Sequence, residues 1–261
     1  MKKYNISIII PCYNDGQYLQ ECVDSVLSYT GTLELEIIIV NDGSTDTKTL
    51  ELLDLLEQNK KIKIIHQENR GLSAARNQGI QNSQADFFIP LDSDDMINPA
   101  FVDSAYRSII QGGDVVYGNV QLFGEKQELK ITHWNPNTQM YVNGIIAFAI
   151  IRKSIWKKIG GYDENMKLGY EDWEFWINSY KHKAVFVKIE KLSYFYRVKK
   201  QSMVTQTIQK HSQILKYIHT KHYDLLMQQY IELNRQLHNV KNNRRLLIAY
   251  LIRNIFGKKN E

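Results

Sequence analysis

The segment EIIIVNDGSTD, residues 36–46, decides the fold class of this chain. Four apolar, β-branched residues, Ile37 to Val40, are followed at once by polar and turn-forming residues. An apolar run of this length, bounded by turn residues, predicts a strand that is buried on both of its faces. Strands of this kind occur mainly in parallel sheets that carry helices on both faces.

The same pattern recurs before and after this segment. Four such apolar runs predict strands at residues 6–10, 36–40, 62–66 and 87–91. Amphipathic segments between them predict helices at residues 17–29, 47–58 and 72–82. Strands that alternate with helices in this way indicate an α/β fold with a Rossmann-like, mainly parallel central sheet and helices on both faces. Because ligands of such sheets bind outside the carboxyl ends of the strands, we expect the polar loops after the four strands to form one crevice.

The second half of the chain is less regular. We predict helices at residues 101–111, 153–159 and 172–181, strands at 115–123, 145–151 and 184–189, and a loop or edge hairpin at 124–141. From residue 205 onward the pattern is helical and contains no proline. The chain is therefore predicted to have one domain at residues 1–204 and a basic helical C-terminal extension at residues 205–261.

The composition is that of an ordinary soluble globular protein, with 43% hydrophobic and 23% charged residues. The two cysteines, Cys12 and Cys22, are too few for a disulfide framework and fit a reducing cytoplasm. We expect both to pack as small apolar side chains. The N-terminal apolar run is shorter than that of a signal peptide, and no stretch reaches the ~18 apolar residues of a membrane-spanning helix. These features predict a cytoplasmic protein.

Positive charge is concentrated in the C-terminal extension. Residues 205–261 carry ten Lys and Arg against three Asp and Glu, whereas the rest of the chain is close to neutral. Arg244 and Arg245 precede the apolar run 246–252, which is too short to cross a bilayer but can lie on one. Three partners are open for this segment: the inner face of an anionic membrane, the chain's own first domain, or a second copy of the chain. We expect no nucleic-acid partner.

Three carboxylates occupy four positions in the stretch Asp92-Ser93-Asp94-Asp95, directly after a predicted strand. Crowded carboxylates repel one another and raise each other's pKa, so folding alone gives little reason for this cluster. A divalent cation such as Mn²⁺ or Mg²⁺, which prefers oxygen ligands, would make them useful together. The alternative is a solvated acidic turn that caps the helix after Pro99. No glycine pattern of a P-loop or a dinucleotide fold follows the first strand.

Five segments in order resemble the family-2 glycosyltransferases, which have the GT-A fold. They are SIIIPCYN (7–14), EIIIVNDGSTD (36–46), ENRGLSAARNQGI (68–80), IPLDSDD (89–95) and GGYDENMKLGYEDWEFW (160–176). The resemblance implies an enzyme that transfers a sugar, with inversion, from a UDP-sugar to a hydroxyl of an acceptor, with Mn²⁺ or Mg²⁺ as the cofactor. The acceptors implied are a surface polysaccharide, a glycoprotein or a lipid-linked glycan.

The resemblance also implies which residues contact the nucleotide. Pro11 and Tyr13 would lie against the base, where the ring of Tyr13 can stack. Asp42 would accept a hydrogen bond from the uracil N–H, and Arg76 would approach the base or the diphosphate. The alternative for Arg76 is a buried ion pair with one of the aspartates. We expect Ser73 to cap its helix.

The resemblance implies that the acidic stretch at residues 92–95 binds the metal. Asp94 is implied as the direct metal ligand, Asp92 as a ligand near the ribose, and Ser93 as part of the donor site. Asp95 is expected to cap the next helix. Many members of the family have a His near the end of the domain that joins the metal, and Lys199 stands at that place here. A charged lysine cannot ligate a metal, but it can bind the diphosphate as a point charge.

Glu171 and Asp172 form the second acidic pair, and the resemblance implies that Asp172 is the general base. Transfer to a hydroxyl needs such a base to take the proton as the sugar carbon is attacked. Glu171 would support it or bind the acceptor, and the alternative is that the pair caps the helix starting at Trp173. Trp173 and Trp176 have two possible roles, as a platform for the acceptor or as core side chains, and their place on a helix favours the core.

Two other functions remain open from the sequence. A sugar-1-phosphate nucleotidylyltransferase shares a parallel sheet and an acidic metal site, but it would need a glycine-rich basic loop where this chain has PCYNDGQYL (11–19). A non-catalytic scaffold subunit with the same fold would not need Asp42, Asp94 and Asp172, which are all present. The non-catalytic scaffold subunit remains an alternative because Lys199 stands where many family members have a metal-binding His.

Overall fold

The computed structural model of the chain describes residues 4–200, 207 and 209–242. The basic and apolar segment that was predicted to bind a membrane or a second copy, residues 244–259, lies outside the described residues. Contacts divide the chain into a unit of residues 1–215 and a unit of residues 216–261. The domain boundary predicted at residue 204 stays a prediction. Among the described residues, no helix is both long enough and apolar enough to cross a membrane.

The first unit contains nine strands and six helices in its described part. The strands are β1 (Ile6–Cys12), β2 (Leu35–Asp42), β3 (Ile62–Gln67), β4 (Phe87–Pro90), β5 (Met96–Ile97), β6 (Val115–Gly124), β7 (Glu128–Lys130), β8 (Ile150–Arg152) and β9 (Phe186–Val198). The helices are α1 (Gly16–Leu27), α2 (Thr47–Glu57), α3 (Leu72–Gln81), α4 (Pro99–Ile110), α5 (Lys153–Ile159) and α6 (Glu171–Lys181). Two further helices follow, α7 (His211–Lys221) and α8 (Tyr223–Asn242).

All nine strands form one sheet. Its order is β3-β2-β1-β4-β8-β6-β9-β5, and β7 pairs with β6. Parallel pairing joins β3, β2, β1 and β4 and also joins β6 to β9, whereas the other pairs are antiparallel. The predicted α/β class is confirmed, and the parallel part holds the carboxyl ends at which a crevice was expected.

Alternate residues of the central strands enter two hydrophobic clusters, one on each face of the sheet. On one face, Ile8 and Ile37 pack with helices α1, α2 and α4. On the other face, Ile9 and Ile38 pack with α3, α5 and α6. Each of these side chains is almost wholly buried and contributes about 1.5–3 kcal/mol of hydrophobic stabilisation. The prediction that helices cover both faces is confirmed.

The strand predicted at residues 145–151 is wrong over most of its length. Regular pairing begins only at Ile150, although Ile145 is fully buried. The backbone oxygen of Ile145 instead accepts a hydrogen bond from the indole of Trp176, at 3.2 Å. The buried backbone oxygen of Ile145 is therefore hydrogen-bonded by a helix side chain rather than by a neighbouring strand. The strand predicted at 184–189 is longer than expected and continues to Val198, and the predicted edge hairpin is confirmed by the pairing of β7 with β6.

Two predicted helix caps, those of Ser73 and Asp95, are wrong, and so is the alternative that Glu171 and Asp172 cap a helix. Helix α3 begins after Gly71, with no side-chain cap from Ser73. Helix α4 is capped by Asn98, whose side chain accepts from the backbone N–H of Ala100, whereas Asp95 is buried and accepts from Arg197 N. Helix α6 has no side-chain cap, which removes capping as the reason for its two acidic residues.

Candidate active site

Three of the polar loops expected to form a crevice are tied together. The side chain of Asn14, after β1, accepts hydrogen bonds from the backbone N–H groups of Thr45 and Asp46, after β2, at 2.7 and 3.1 Å. Ser93, after β4, donates to Asp15 of the β1 loop at 2.8 Å. The carboxyl ends of β1, β2 and β4 therefore meet as predicted.

Asp42 fastens the loop after β3 to the end of β2. Its Oδ1 accepts from Gln67 Nε2 and from the backbone N–H of Arg70, at 2.6 and 2.9 Å, and its Oδ2 accepts from Gly71 N at 2.8 Å. Each carboxylate oxygen has room for about two hydrogen bonds, so Oδ2 is the atom that still has capacity for an N–H group of a ligand. The predicted contact with uracil is untested, and it would use that oxygen.

The next residue, Gly43, makes this turn possible. Its φ is +71°, a left-handed conformation that favours glycine. A side chain here would also place Cβ 2.7 Å from the backbone nitrogen of Asn69. The turn at the end of β2 therefore requires glycine for two separate reasons.

Pro11 and Tyr13 differ in exposure. Pro11 lies within β1, where it is buried and pairs with Val40 of β2. Tyr13 is 51% exposed, so its ring has a surface on which a base can stack. Of these two predicted nucleotide contacts, Tyr13 is accessible and Pro11 shapes the strand end. Cys12 and Cys22 are both buried, as expected of small apolar side chains.

Arg76 connects the two acidic motifs. Its side chain is fully buried, its Nη1 donates to Glu171 Oε1 at 2.6 Å, and its Nη2 donates to Asp92 Oδ1 at 2.6 Å. The alternative of a buried ion pair is thus confirmed for Arg76. One guanidinium holds the acidic loop after β4 against the first turn of α6, so the predicted metal-binding and base-bearing segments are neighbours.

Lys199 lies against the acidic loop. Its ammonium is 2.6 Å from Asp94 Oδ2 and 3.6 Å from Asp15 Oδ1, and it lies 4.8 Å from the ring centre of Tyr18. Burial lowers the pKa of Lys199, but the hydrogen bond and charge of Asp94 outweigh it, so the pKa is raised. Burial, followed by the charge of Asp92, raises the pKa of the Asp94 carboxyl. Lys199 is therefore placed to neutralise charge at this loop.

The donor set of this loop fits Mn²⁺ or Mg²⁺. Asp92 and Asp94 are 28% and 21% exposed, and each uses one oxygen in an ion pair, which leaves the other oxygen for a cation. No group of three or more His, Cys, Asp or Glu side chains among the described residues is arranged to hold a metal. Mg²⁺ commonly takes one or two carboxylates from a protein and its other ligands from phosphates and water, which matches two aspartates.

Arg197 is a residue of this loop that the sequence reasoning missed. Its Nε donates to the backbone oxygen of Asp94 at 2.7 Å, and its backbone N–H donates to Asp95 Oδ1 at 2.7 Å. Its guanidinium lies between the rings of Tyr18 and Phe123, at 4.5 and 4.3 Å from their centres, and pairs with Glu21. Arg197 thereby fixes the loop. Its spacing of two residues from Lys199, at the end of β9, was the available signal.

Asp172 and Glu171 are the first two residues of α6. Glu171 is held by Arg76, and Asp172 Oδ2 accepts from Asn143 Nδ2 at 3.1 Å. Burial and then the charge of Glu171 raise the pKa of Asp172 to about 7, against the lowering effects of Asn143 and Arg76. A carboxylate with a pKa near 7 suits a base that must both accept and release a proton near neutral pH. The catalytic assignment itself is untested.

Trp173 and Trp176 belong to the core, so the acceptor-platform alternative is wrong. They are 2% and 0% exposed. Their indole N–H groups donate to the backbone oxygens of Gln139 and Ile145, at 2.6 and 3.2 Å. Through these two hydrogen bonds, the indoles hold the segment 139–145 against α6. Asn143, within this segment, is the second residue missed by the sequence reasoning, because an isolated asparagine in a loop gives no signal by spacing.

Comparison with known proteins finds a family match over most of the chain. The family model "Glycosyl transferase family 2" matches residues 7–176. Among curated proteins, glycosyltransferase GlyA of Streptococcus pneumoniae is 31% identical over 219 residues, which cover 76% of this chain and 31% of that protein. Glycosyltransferase GlyG of the same species is 37% identical over 142 residues, which cover 53% of this chain and 44% of that protein. The matches thus span less than half of these curated relatives.

Solved structures show the same fold. TarS (residues 1–349) of S. aureus in complex with UDP-GlcNAc has a TM-score of 0.65 and 21% identity, covering 77% of this chain and 60% of that one. The same TarS region in complex with UDP has a TM-score of 0.62, 22% identity, and covers 75% and 61% of the two chains. At this level of identity the likeness concerns the fold alone, and the predicted fold class is confirmed.

Proposed function

Since the chain belongs to glycosyl transferase family 2, we propose that it transfers a sugar from a UDP-sugar to a hydroxyl of a glycan acceptor, with inversion at the anomeric carbon. The observation that carries the proposal is the buried guanidinium of Arg76. It pairs with Asp92 on one side and with Glu171, next to Asp172, on the other. The groups proposed to hold the donor diphosphate and the group proposed to activate the acceptor therefore share one rigid support.

The donor is proposed to bind over the carboxyl ends of β1, β2 and β4. Tyr13 would stack on the base, and Asp42 would accept from its N–H through Oδ2. Support for a uridine donor comes from TarS, whose structures contain UDP-GlcNAc and UDP. The acceptor class, a polysaccharide, a glycoprotein or a lipid-linked glycan, remains part of the proposal.

The proposed reaction is a single displacement. The acceptor oxygen forms a bond to the anomeric carbon while the bond from that carbon to the diphosphate oxygen breaks, and UDP leaves with the electron pair. Asp172 takes the proton of the attacking hydroxyl at its carboxylate. Attack from the face opposite the diphosphate inverts the configuration of that carbon.

Negative charge that builds up on the departing diphosphate needs stabilisation. Asp92 and Asp94 would hold Mn²⁺ or Mg²⁺, which supplies positive charge to the leaving group when bound. Lys199 would supply a further positive charge without ligating the metal. Arg76 would hold Asp92 in place.

A non-catalytic donor-binding subunit is the second candidate. The observation in its favour is the ammonium of Lys199, which lies 2.6 Å from Oδ2 of Asp94, the residue predicted to bind the metal. Such a subunit would bind UDP-sugar without turnover. Nothing in the site favours a sugar-1-phosphate nucleotidylyltransferase.

The test is UDP release from a panel of UDP-sugars, measured with and without Mn²⁺, with the Asp172→Asn variant as the control. We expect release from at least one UDP-sugar, dependence on Mn²⁺, and loss of release in the variant. Tight UDP binding without release in either protein would favour the non-catalytic subunit. Release that is equal in both proteins would remove Asp172 as the base.

A further inference from the structure

The segment 139–145 is held against the first turns of α6 at two points. The indole N–H of Trp173 donates to the oxygen of Gln139, and that of Trp176 donates to the oxygen of Ile145. Both indoles are buried, so these bonds form away from water. The backbone between them is thereby fixed relative to α6, and Asn143 lies in that stretch.

Asn143 uses this position to contact Asp172. Its Nδ2 donates to Asp172 Oδ2 at 3.1 Å. The backbone N–H of Trp173 also hydrogen-bonds the Asp172 carboxyl and lowers its pKa. Asn143 adds a donor from outside the helix, which fixes Oδ2 of that carboxylate.

This segment also carries buried polar atoms that do not stabilise the folded state. Asn143 Oδ1 and both side-chain amide atoms of Gln139 are buried and have no hydrogen-bond partner among the described residues. An unsatisfied buried polar group disfavours the folded state. A smaller or apolar residue at position 143 would avoid that cost, so stability does not account for the asparagine.

We propose that Asn143 is a positioning residue, which holds the Asp172 carboxylate in the orientation and ionised form required to deprotonate the acceptor. This inference rests on the proposed function, because it assigns the residue that supports the proposed base. Asn143 acts through Asp172 and does not itself take the proton. The segment 139–145 is thus part of the catalytic apparatus, although it has no regular strand or long helix.

The charged groups around Asp172 set the direction of the effect. Glu171 opposes ionisation of Asp172, whereas Arg76 and Asn143 favour it. The hydroxyl groups of Tyr162 and Tyr170 also lie within the field of Asp172, which raises their pKa in addition to the larger effect of burial. Removing the amide donor therefore shifts Asp172 toward its protonated form. The two tyrosine hydroxyls stay neutral near pH 7, so they do not offset this shift of Asp172 toward its protonated form.

The experiment compares Asn143→Asp, which keeps the shape and removes the donor, and Asn143→Ala with the control Asn137→Ala. Asn137 is exposed in the neighbouring turn, and its side chain has no bond to α6 among the described contacts. Hydrolysis of UDP-GlcNAc, with water as the acceptor, is followed from pH 5 to pH 9. We expect kcat near pH 7 to fall by about tenfold or more in both Asn143 variants, since general-base catalysis contributes at least that much. KM for UDP-GlcNAc should stay at the control value in both Asn143 variants.

A second measurement does not need activity. Titration of the Asp172 carboxyl by ¹³C NMR should show a pKa about 0.5–1 unit higher in Asn143→Ala than in the unchanged protein, the size expected for one lost hydrogen bond. An unchanged Asp172 titration, or an unchanged pH profile of an active variant, would overturn the inference. If the unchanged protein releases UDP from no member of the UDP-sugar panel, the proposed function fails, and the titration still decides whether Asn143 controls Asp172.

Discussion

At the scale of single residues, the candidate site depends on a few buried charges that neutralise one another. Arg76 satisfies two carboxylates, and Lys199 satisfies Asp94. Buried ions that lose their partner are costly, whereas exposed pairs contribute little to stability. The effect of removing a cation from this site therefore depends on how deeply its partners are buried.

We predict that Arg76→Ala lowers the free energy of unfolding by about 3–5 kcal/mol, because Glu171 is left buried without its partner. Arg70→Ala is the matched control. Arg70 pairs with Glu164, and both side chains of that pair are about half exposed, at 57% and 43%. The control should lose at most about 1 kcal/mol. Urea unfolding of both variants is the measurement, and equal losses would show that the Arg76 pair is not a buried network.

We predict that kcat/KM depends on a single ionisation with a pKa of about 7, that of Asp172. The carboxyl accepts a proton only in its ionised form, so kcat/KM should rise about tenfold per pH unit below that value and level off above it. Asp172→Asn should keep its affinity for UDP and lower kcat by about 10²-fold or more. A pH profile that is flat between pH 5 and pH 8 would place the base elsewhere.

We predict that Lys199→Ala raises KM for the donor or slows transfer, because the diphosphate loses a neutralising charge. Lys200, the next residue, is exposed, and Lys200→Ala is the matched control. Asp94→Ala should abolish the increase in UDP affinity that Mn²⁺ produces. Calorimetric titration of UDP with and without Mn²⁺ measures the effect of Asp94→Ala, and steady-state kinetics with the UDP-sugar measure those of Lys199→Ala and Lys200→Ala. If Lys199→Ala and Lys200→Ala behave alike, Lys199 is only a surface lysine.

At the scale of elements, the sequence predicted what depends on local pattern and missed what depends on tertiary partners. The short apolar runs of β1, β2 and β4 appeared as strands because each is buried on both faces. Residues 145–149 have the same apolar character, but their hydrogen bonds go partly to Trp176, which no local pattern shows. The position of Asp95 was missed for the same reason, since its partner Arg197 lies about 100 residues away.

The turn after β2 gives a prediction at this scale. Gly43 and Gly71 both have positive φ, +71° and +94°, but an added Cβ meets Asn69 N at 2.7 Å only at Gly43 and meets nothing within 4 Å at Gly71. Gly71→Ala should cost about 1–3 kcal/mol, because its φ of +94° and ψ of 168° are essentially restricted to glycine. Gly43→Ala should cost more, because the added Cβ also meets the backbone of Asn69. Gly43→Ala should also weaken UDP binding, because the turn places Asp42. Urea unfolding and UDP titration of the two variants test this, and equal costs would show that the turn has room to relax.

At the scale of the whole molecule, every candidate site residue lies in the unit of residues 1–215. The second unit contributes α8, on which Tyr223, Tyr230 and Leu237 are exposed and lie seven residues apart. That spacing is the repeat of a helix that pairs with another helix. The basic segment that follows has a different character, because Arg244 and Arg245 precede an apolar run. The two features predict different partners for the C-terminal part of the chain.

We predict that the full chain binds vesicles that contain anionic lipid and that a chain ending at Asn242, which keeps all of α8, does not. As a helix, residues 246–256 would span about 16 Å, half of the ~30 Å hydrocarbon core, so the segment can lie on a membrane but not cross it. Each basic residue near the surface adds about 1 kcal/mol toward anionic lipid, so the double variant Arg244→Glu, Arg245→Glu should also lose binding. Co-sedimentation with anionic and neutral vesicles is the measurement. If the full chain ignores both kinds of vesicle and forms a larger oligomer than the shortened chain, the segment serves self-association instead.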